Sequence, residues 1–358
     1  MPKNRKKIII SMSGGVDSSV AAALLKEQGH ELIGIFMHFW AEESQNTGQT
    51  NKCCSVESFN DARRVANQLG FPLYTLNLDD QFKKEIVDDF LLEYQRGNTP
   101  NPCVACNKFI KFDAILKKAE ELGFDAVATG HYARIVENDG HLHLARPKDL
   151  NKDQTYFLYT LSEEKLKKII FPLAELTKPE VRELAKKFGL TTASKPESQE
   201  ICFVGSNDHN DFLRRHLDLK PGPIVTLDGQ TLGEHKGLPL YTLGQRKGVE
   251  IGGIGPFYVA GFDYPKNILY VTSNGEGPEL YRDQLQVNDI SWTGSEPAFP
   301  FECQAVIRYR HKPCEVTIDR AGDSSYTVHF KTPQRAITPG QSVVFYQDDT
   351  VIGGGIII

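Results

Sequence analysis

The run Ile8-Ile9-Ile10, then Ser13-Gly14-Gly15, then Asp17-Ser18-Ser19 constrains this chain more than any other stretch. Three β-branched apolar residues predict a buried strand. The glycines predict a tight turn, and Asp17, Ser18 and Ser19 suit the first turn of a helix whose body is Val20 to Leu25. Strand, glycine turn and helix N-terminus in that order offer unpaired backbone N–H groups and a positive dipole end, which favour an anion. Glycine lets backbone approach that anion with no Cβ in the way. The ordinary nucleoside-triphosphatase loop is excluded, because its lysine is missing here.

Strands and helices alternate through the first third. Residues 32–37, 73–78 and 125–129 read as strands, and 56–69, 82–94, 110–122 and 178–188 carry apolar residues at helical spacing. The pattern predicts an α/β unit, a parallel sheet with helices on both faces. Ligands in such sheets sit beyond the carboxyl ends of the strands. Residues 44–52 read as a polar, mobile loop, and 193–205 as a loop. Past about 207, glycine, proline and short strands dominate. Longer alternating strands at 303–310, 315–318, 326–330 and 342–346 predict a small antiparallel barrel. The expected units are 1–205, 206–274 and 275–358, which suits a chain of 358 residues.

Net charge is −5, so overall charge does not announce a nucleic-acid binder, and nucleic acid would have to meet a local basic surface. His235-Lys236, Arg246-Lys247 and Arg308-Tyr309-Arg310-His311-Lys312 are such clusters, with Tyr309 able to stack on a base. No run of about 18 apolar residues exists, and no signal peptide precedes the first strand, so the reading is cytoplasmic with no membrane partner. Seven irregularly spaced cysteines argue against a disulfide framework and for reactive or metal-binding thiols. In Thr99-Pro100-Asn101-Pro102-Cys103-Val104-Ala105-Cys106-Asn107-Lys108 two prolines hold the chain extended, placing both cysteines on a loop before a helix. A helix N-terminus and Lys108 favour a thiolate there. Half of a zinc site is the competing reading, but no second Cys-x-x-Cys completes it. Cys202, between Ile201 and Phe203, reads from its own segment as a buried, inert thiol. Cys53-Cys54 reads as incidental, and Cys303 and Cys314 as packing residues in barrel strands.

The loop Ser-Gly-Gly-x-Asp-Ser resembles the pyrophosphate loop (PP-loop) of ATP pyrophosphatases, which transfer AMP to an acceptor oxygen. Five further stretches follow it in order: Asn101 to Lys108, Ala128-Thr129-Gly130-His131-Tyr132, Lys152-Asp153-Gln154-Thr155-Tyr156-Phe157, Ile201-Cys202-Phe203 and Gly244-Gln245-Arg246-Lys247-Gly248. Together they resemble the bacterial tRNA-specific 2-thiouridylases over nearly the whole chain. The resemblance implies an N-terminal domain of the adenine nucleotide α-hydrolase type, a small mostly-β central domain and a tRNA-contacting antiparallel β-barrel. It implies that ATP, with Mg²⁺ assisting, adenylates the carbon-2 oxygen of the wobble uridine of tRNA for Lys, Glu and Gln. A cysteine persulfide, charged by a desulfurase or sulfur-relay protein, then delivers sulfur.

Residue by residue, the resemblance implies that Ser11, Met12, Ser13, Gly14, Gly15, Val16, Asp17 and Ser18 hold ATP, with Met37 and Gly130 near the adenosine. Cys202 matches the persulfide carrier, and Cys106 the partner nucleophile that ends in a disulfide with it. Asn101, Pro102 and Cys103 match the segment facing the base, and His131, Lys152, Asp153, Gln154, Arg308, Tyr309 and Gln341 match tRNA contacts. Several members carry aspartate where this chain has Cys103, so a proton-carrying role passes to a thiol or is absent. Cys103, Cys106 and Cys202 are also a set that can hold an iron–sulfur cluster with one open iron, the alternative to the persulfide route. Two other readings compete: a PP-loop synthetase acting on citrulline or xanthosine monophosphate, and a redox-sensing RNA-binding protein.

Overall fold

A computed structural model describes residues 5–42, 55–196, 201–204, 209–249, 251 and 256–358. The loop expected at 44–52 and Cys53-Cys54 lie outside the described residues. In chain order β1 (Lys7–Ser11), α1 (Val16–Glu27), β2 (Glu31–His38), α2 (Val56–Leu69) and β3 (Leu73–Asn77) alternate. Next, α3 (Asp79–Phe82) passes through a π-helical stretch, Lys83–Asp88, into α4 (Asp89–Gln95). Then α5 (Pro102–Ala105) passes through a second π-helical stretch, Cys106–Phe112, into α6 (Asp113–Glu121). β4 (Ala126–Ala128), a hairpin of β5 (Arg134–Asn138) and β6 (His141–Ala145), α7 (Glu163–Leu166), β7 (Ile169–Ile170) and α8 (Lys178–Lys187) follow.

The sheet is parallel throughout, in the order β3-β2-β1-β4-β7. Ile8 and Ile10 face one core, with Val20, Ala62 and Val181 of the covering helices. Ile9 points the other way, to Phe82, Ile110 and Ile115. That is the period-2 alternation of a strand covered on both sides. The chain steps outward from β1 to β3, then returns to place β4 on the free side of β1. The loops after β1 and β4 therefore flank a topological switch point, where parallel sheets bind ligands.

A second, four-stranded sheet is built by β8 (Gly222–Thr226), β9 (Thr231–His235), β10 (Tyr258–Asp263) and β11 (Ile268–Thr272), preceded by α9 (His209–His216), a helix not expected from sequence. Finally β12 (Tyr281–Trp292), β13 (Phe301–Val306), β14 (Cys314–Arg320), β15 (Ser325–Arg335), β16 (Ser342–Gln347) and β17 (Thr350–Ile357) form an antiparallel barrel. The pairing of β12 with β17 closes it around Val287, Ala305, Ile318, Val328, Val343 and Phe345. β13 is shorter than the alternation at 303–310 suggests: past Val306 the chain turns, and Arg310 has φ +63°. The hairpin β5–β6 also went unread; Ala145 of β6 pairs with Thr350 of β17, so a piece of the N-terminal unit extends the barrel sheet. No helix among the described residues is long and apolar enough to cross a membrane.

Candidate active site

Gly14 and Gly15 have different jobs. Gly14 has φ +71°, which favours glycine, and a Cβ there would sit 2.8 Å from the Ser58 carbonyl carbon and closer to its oxygen. Its bare Cα lets the loop pack against the first turn of α2. Gly15 has ordinary backbone angles, and a Cβ there would meet only Ser13 Oγ, at 3.4 Å. Gly15 is the N-cap of α1, with no side chain to accept from the first-turn N–H groups. The loop is braced from within. Ser18 and Ser19 donate their hydroxyls to Gly15 O (3.2 and 2.8 Å), and Ser13 N–H donates to Ser18 Oγ (3.2 Å). Met12 N–H donates to Ile35 O (2.8 Å), tying the loop to β2.

The loop after β4 closes on the same point. A Cβ on Gly130 would sit 2.6 Å from Ser18 N, so this glycine allows two loops to touch. Tyr132 donates its hydroxyl to Asp17 Oδ1 (2.9 Å). Lys178, the first residue of α8, brings its ammonium to 2.7 and 2.8 Å from the two Asp17 oxygens. No linear signal marks that pair, and sequence reasoning missed Lys178. Thr129 Oγ1 lies 2.8 Å from His131 Nδ1. Burial among Phe112 and Phe171 holds the His131 pKa down to about 3, with Lys111 pushing the same way, so the ring is neutral near pH 7. Met37 is buried near the end of β2, in the core that also holds Ile9.

Cys103 and Cys106 lie on a helix, not on the loop expected from the two prolines. Pro102 occupies the first helical turn, where its missing N–H costs nothing, and Asn101 caps it by accepting from Cys103 N–H (3.2 Å). Cys103 is exposed, whereas Cys106 is buried at the start of the π-helical stretch. Cys202 is half-buried against the same core, which also contains Cys106, Phe82 and Phe90. Its neighbour Phe203 anchors it, with ring centroids 5.8 Å from Phe82, 5.2 Å from Phe90 and 5.5 Å from Phe212. Upstream, Arg182 donates to Ala193 O (3.0 Å), and Lys195 reaches Asp61 (2.6 Å) in the second turn of α2. Asn107, beside Cys106, is buried and donates to Phe157 O (3.3 Å), while its Oδ1 has no partner among the described residues. Cys303 and Cys314 sit in the barrel wall. Burial pushes their thiols up to about 12 and about 11, which suits packing residues.

The residues expected at tRNA divide by what already engages them. Asp153 accepts from Arg146 at 2.8 Å in a mostly buried pair, and from Thr155 N–H at 2.9 Å. Gln154 Oε1 accepts from Tyr132 N–H (2.8 Å). Lys152 lies in a single helical turn, Leu150–Lys152, and is only partly covered. Gln341 donates to Thr99 O (2.7 Å), while Thr99 N–H donates to Pro339 O (2.9 Å), so the barrel grips the segment that leads into α5. Tyr156 OH donates to Ser342 O (2.9 Å) and strengthens that contact. The Tyr309 and Phe157 ring centroids are 4.5 Å apart, and the Arg310 guanidinium lies 5.3 Å from the Tyr309 ring centroid. Arg308 is half-buried and donates to Arg335 O (3.4 Å). Two histidines of the basic clusters are held toward their neutral form. His235 is fully buried, accepting from Gly237 N–H and bonded to Asn267 O, and burial lowers its pKa. His311 is lowered by burial and by Arg308. Arg335, unforeseen, donates to Gly275 O (2.8 Å), just past the central sheet, and to Gly244 O (3.4 Å) of the central unit.

Three family models match in tandem: "tRNA methyl transferase HUP domain" over residues 6–206, "tRNA methyl transferase PRC-barrel domain" over 210–273 and "Aminomethyltransferase beta-barrel domain" over 282–357. The chain is 49% identical to the tRNA-specific 2-thiouridylase MnmA of Carboxydothermus hydrogenoformans, over 99% of this chain and 98% of that one. It is 48% identical to the protein of the same name in Symbiobacterium thermophilum, over 98% and 92%. A third such protein, from Listeria welshimeri, is 48% identical over 98% and 94%.

Proposed function

The chain belongs to the tRNA-specific 2-thiouridylase family, and from that premise we propose that it uses ATP to activate the carbon-2 oxygen of a tRNA wobble uridine and replaces that oxygen with sulfur. The observation that carries this reading is the switch point: the uncapped N-terminus of α1, Asp17 and the Gly130 loop meet there, beyond the ends of β1 and β4. First-turn N–H groups facing an open glycine suit the phosphates of ATP. A carbonyl oxygen is a poor leaving group and AMP a good one, so adenylation makes the later displacement feasible.

Asp17, a third exposed, is the side chain that would hold Mg²⁺. One carboxylate together with nucleotide phosphates is a donor set that suits a hard, oxygen-bound ion. Bound there, Mg²⁺ supplies charge neutralisation on the departing phosphates. The geometry does not favour the iron–sulfur alternative, since exposed Cys103 and buried Cys106 do not form a three-ligand group with Cys202. Two thiols suffice. Cys202 carries the persulfide sulfur, and Cys106, in the same core, attacks its S–S bond to release it. Neutral His131 offers a hydrogen bond rather than a charge. Arg310, Tyr309 and Lys152 meet tRNA from the barrel side, whereas Asp153, Gln154 and Gln341 hold the surrounding segments in place. The natural substrates are tRNAs for Lys, Glu and Gln, and a desulfurase or relay protein supplies the sulfur.

The test is pyrophosphate release and 2-thiouridine formation by purified protein given ATP, a persulfide donor and tRNA transcripts with U34 or C34. Both products are expected only with U34. Pyrophosphate release from ATP without tRNA, or with a small-molecule acceptor, would overturn the reading.

A further inference from the structure

The glycine loop carries no cation: residues 11–19 contain no Lys, Arg or His. Yet pyrophosphate leaving ATP is strongly anionic, and backbone N–H groups supply only partial charges. The missing charge stands nearby. Lys178 Nζ is 2.7 and 2.8 Å from the Asp17 oxygens, although the two residues are 161 apart in sequence. Its side chain is only 9% exposed. Burying an ammonium is costly, and an apolar pair would hold α8 to α1 at least as well. Lys178 is also fixed from behind. Its N–H donates to Asp149 Oδ2 (2.8 Å), and Thr177 and Glu180 form a capping box around it. Tyr132, which bonds the same carboxylate, lies with its ring centroid 5.8 Å from the ammonium.

We infer that Lys178 is the phosphate-binding lysine of this loop, contributed by α8, and a catalytic residue of the adenylation step. Asp17 holds the ammonium at the mouth of the loop before nucleotide arrives. When ATP binds, the ammonium contacts the β- and γ-phosphate oxygens. The uridine oxygen then forms a bond to the α-phosphorus as the bond from that phosphorus to the bridging oxygen breaks. The electron pair stays on the pyrophosphate, and the uridine N3 proton passes to solvent. Lys178 keeps its proton throughout and stabilises the charge that develops on the leaving group. A lysine that only oriented Asp17 would instead serve a carboxylate and make no contact with phosphate.

This inference rests on the proposed adenylation, and its test is arranged so that the two fail separately. Affinities for inorganic pyrophosphate, ATP and AMP are measured by calorimetry on the full chain, with no tRNA or sulfur donor. Lys178→Met is expected to weaken pyrophosphate and ATP binding by at least ~10-fold while leaving AMP within ~2-fold, and Lys178→Arg to recover most of the loss. Pyrophosphate affinity unchanged in a folded Lys178→Met protein would overturn the assignment. If that variant does not fold, amine-directed labelling of wild-type Lys178, read by mass spectrometry, decides instead. Protection by pyrophosphate but not by AMP is expected, and equal labelling in both would overturn it. Loss of tRNA-dependent turnover in the wild type, with pyrophosphate binding intact, would instead count against the adenylation reading alone.

Discussion

Substituting each glycine of the loop in turn separates fold from chemistry. Gly14→Ala places a methyl group against the Ser58 backbone, 2.8 Å from its carbonyl carbon, at φ +71°. A left-handed non-glycine residue costs roughly 1–2 kcal/mol. Overpacking adds about 1–3 kcal/mol, toward the upper end here because the obstacle is helix backbone rather than a side chain that can swing away. The expected loss is about 3–4 kcal/mol, or roughly 6–16 °C on the transition of a domain of this size. Gly15→Ala meets only Ser13 Oγ at 3.4 Å, at a backbone geometry any residue adopts. Its stability is expected within ~0.5 kcal/mol of wild type, with any gain coming from the unfolded chain. Its tRNA-dependent pyrophosphate release is nonetheless expected to fall at least ~10-fold, since the methyl group occupies the face offered to phosphate. Differential scanning calorimetry and a pyrophosphate assay on both variants read the two effects. A wild-type transition in Gly14→Ala, or a large destabilisation by Gly15→Ala, would refute this division of labour.

Cys202→Ser is expected to release pyrophosphate yet gain no sulfur after incubation with a desulfurase and cysteine; an added sulfur on Cys106 alone, by peptide mass spectrometry, would reverse the assignment. Arg310→Ala, at an exposed turn, is expected to lower the slope of log affinity for tRNA against log salt by about one unit; an unchanged slope places the phosphate contact elsewhere. The folded-state pKa of His131 is depressed to about 3, so between there and about 6.5 the unfolded chain binds the extra proton. Stability therefore falls as pH drops through that window, by at most about 1.4 kcal/mol per unit from this group. His131→Gln should flatten the difference between denaturation curves at pH 5 and pH 7, and an unaltered difference would show that folding does not depress the His131 pKa.

What the sequence disclosed was local. The loop, its strand and its helix are contiguous, and alternating apolar residues marked the flanking strands. Local reading went wrong where one signal has two meanings. Pro102 read as a breaker, but a proline in the first turn starts a helix, and Asn101 was the cap that said so. Alternation through Ile307 to Arg310 read as strand, although the chain turns there with Arg310 left-handed. Proximity between distant residues was illegible: nothing in the string connects Asp17 to Lys178, or Ala145 to Thr350. His235 looked basic beside Lys236, but its burial under Asn267 and Gly237 is tertiary information.

The grip of the barrel on the catalytic unit has a consequence for biosynthesis. Thr99 is held by Pro339 and Gln341, and Tyr156 by Ser342, all close to the C-terminus of a 358-residue chain. A ribosome completes the parallel sheet long before it makes these partners. The nascent N-terminal unit can close its core around Ile9, but the segment leading to Cys103 and Cys106 lacks its bonds to Pro339 and Gln341 until the barrel has left the exit tunnel. The bonds between this segment and the barrel thus form last, and a prematurely terminated chain keeps the glycine loop without them.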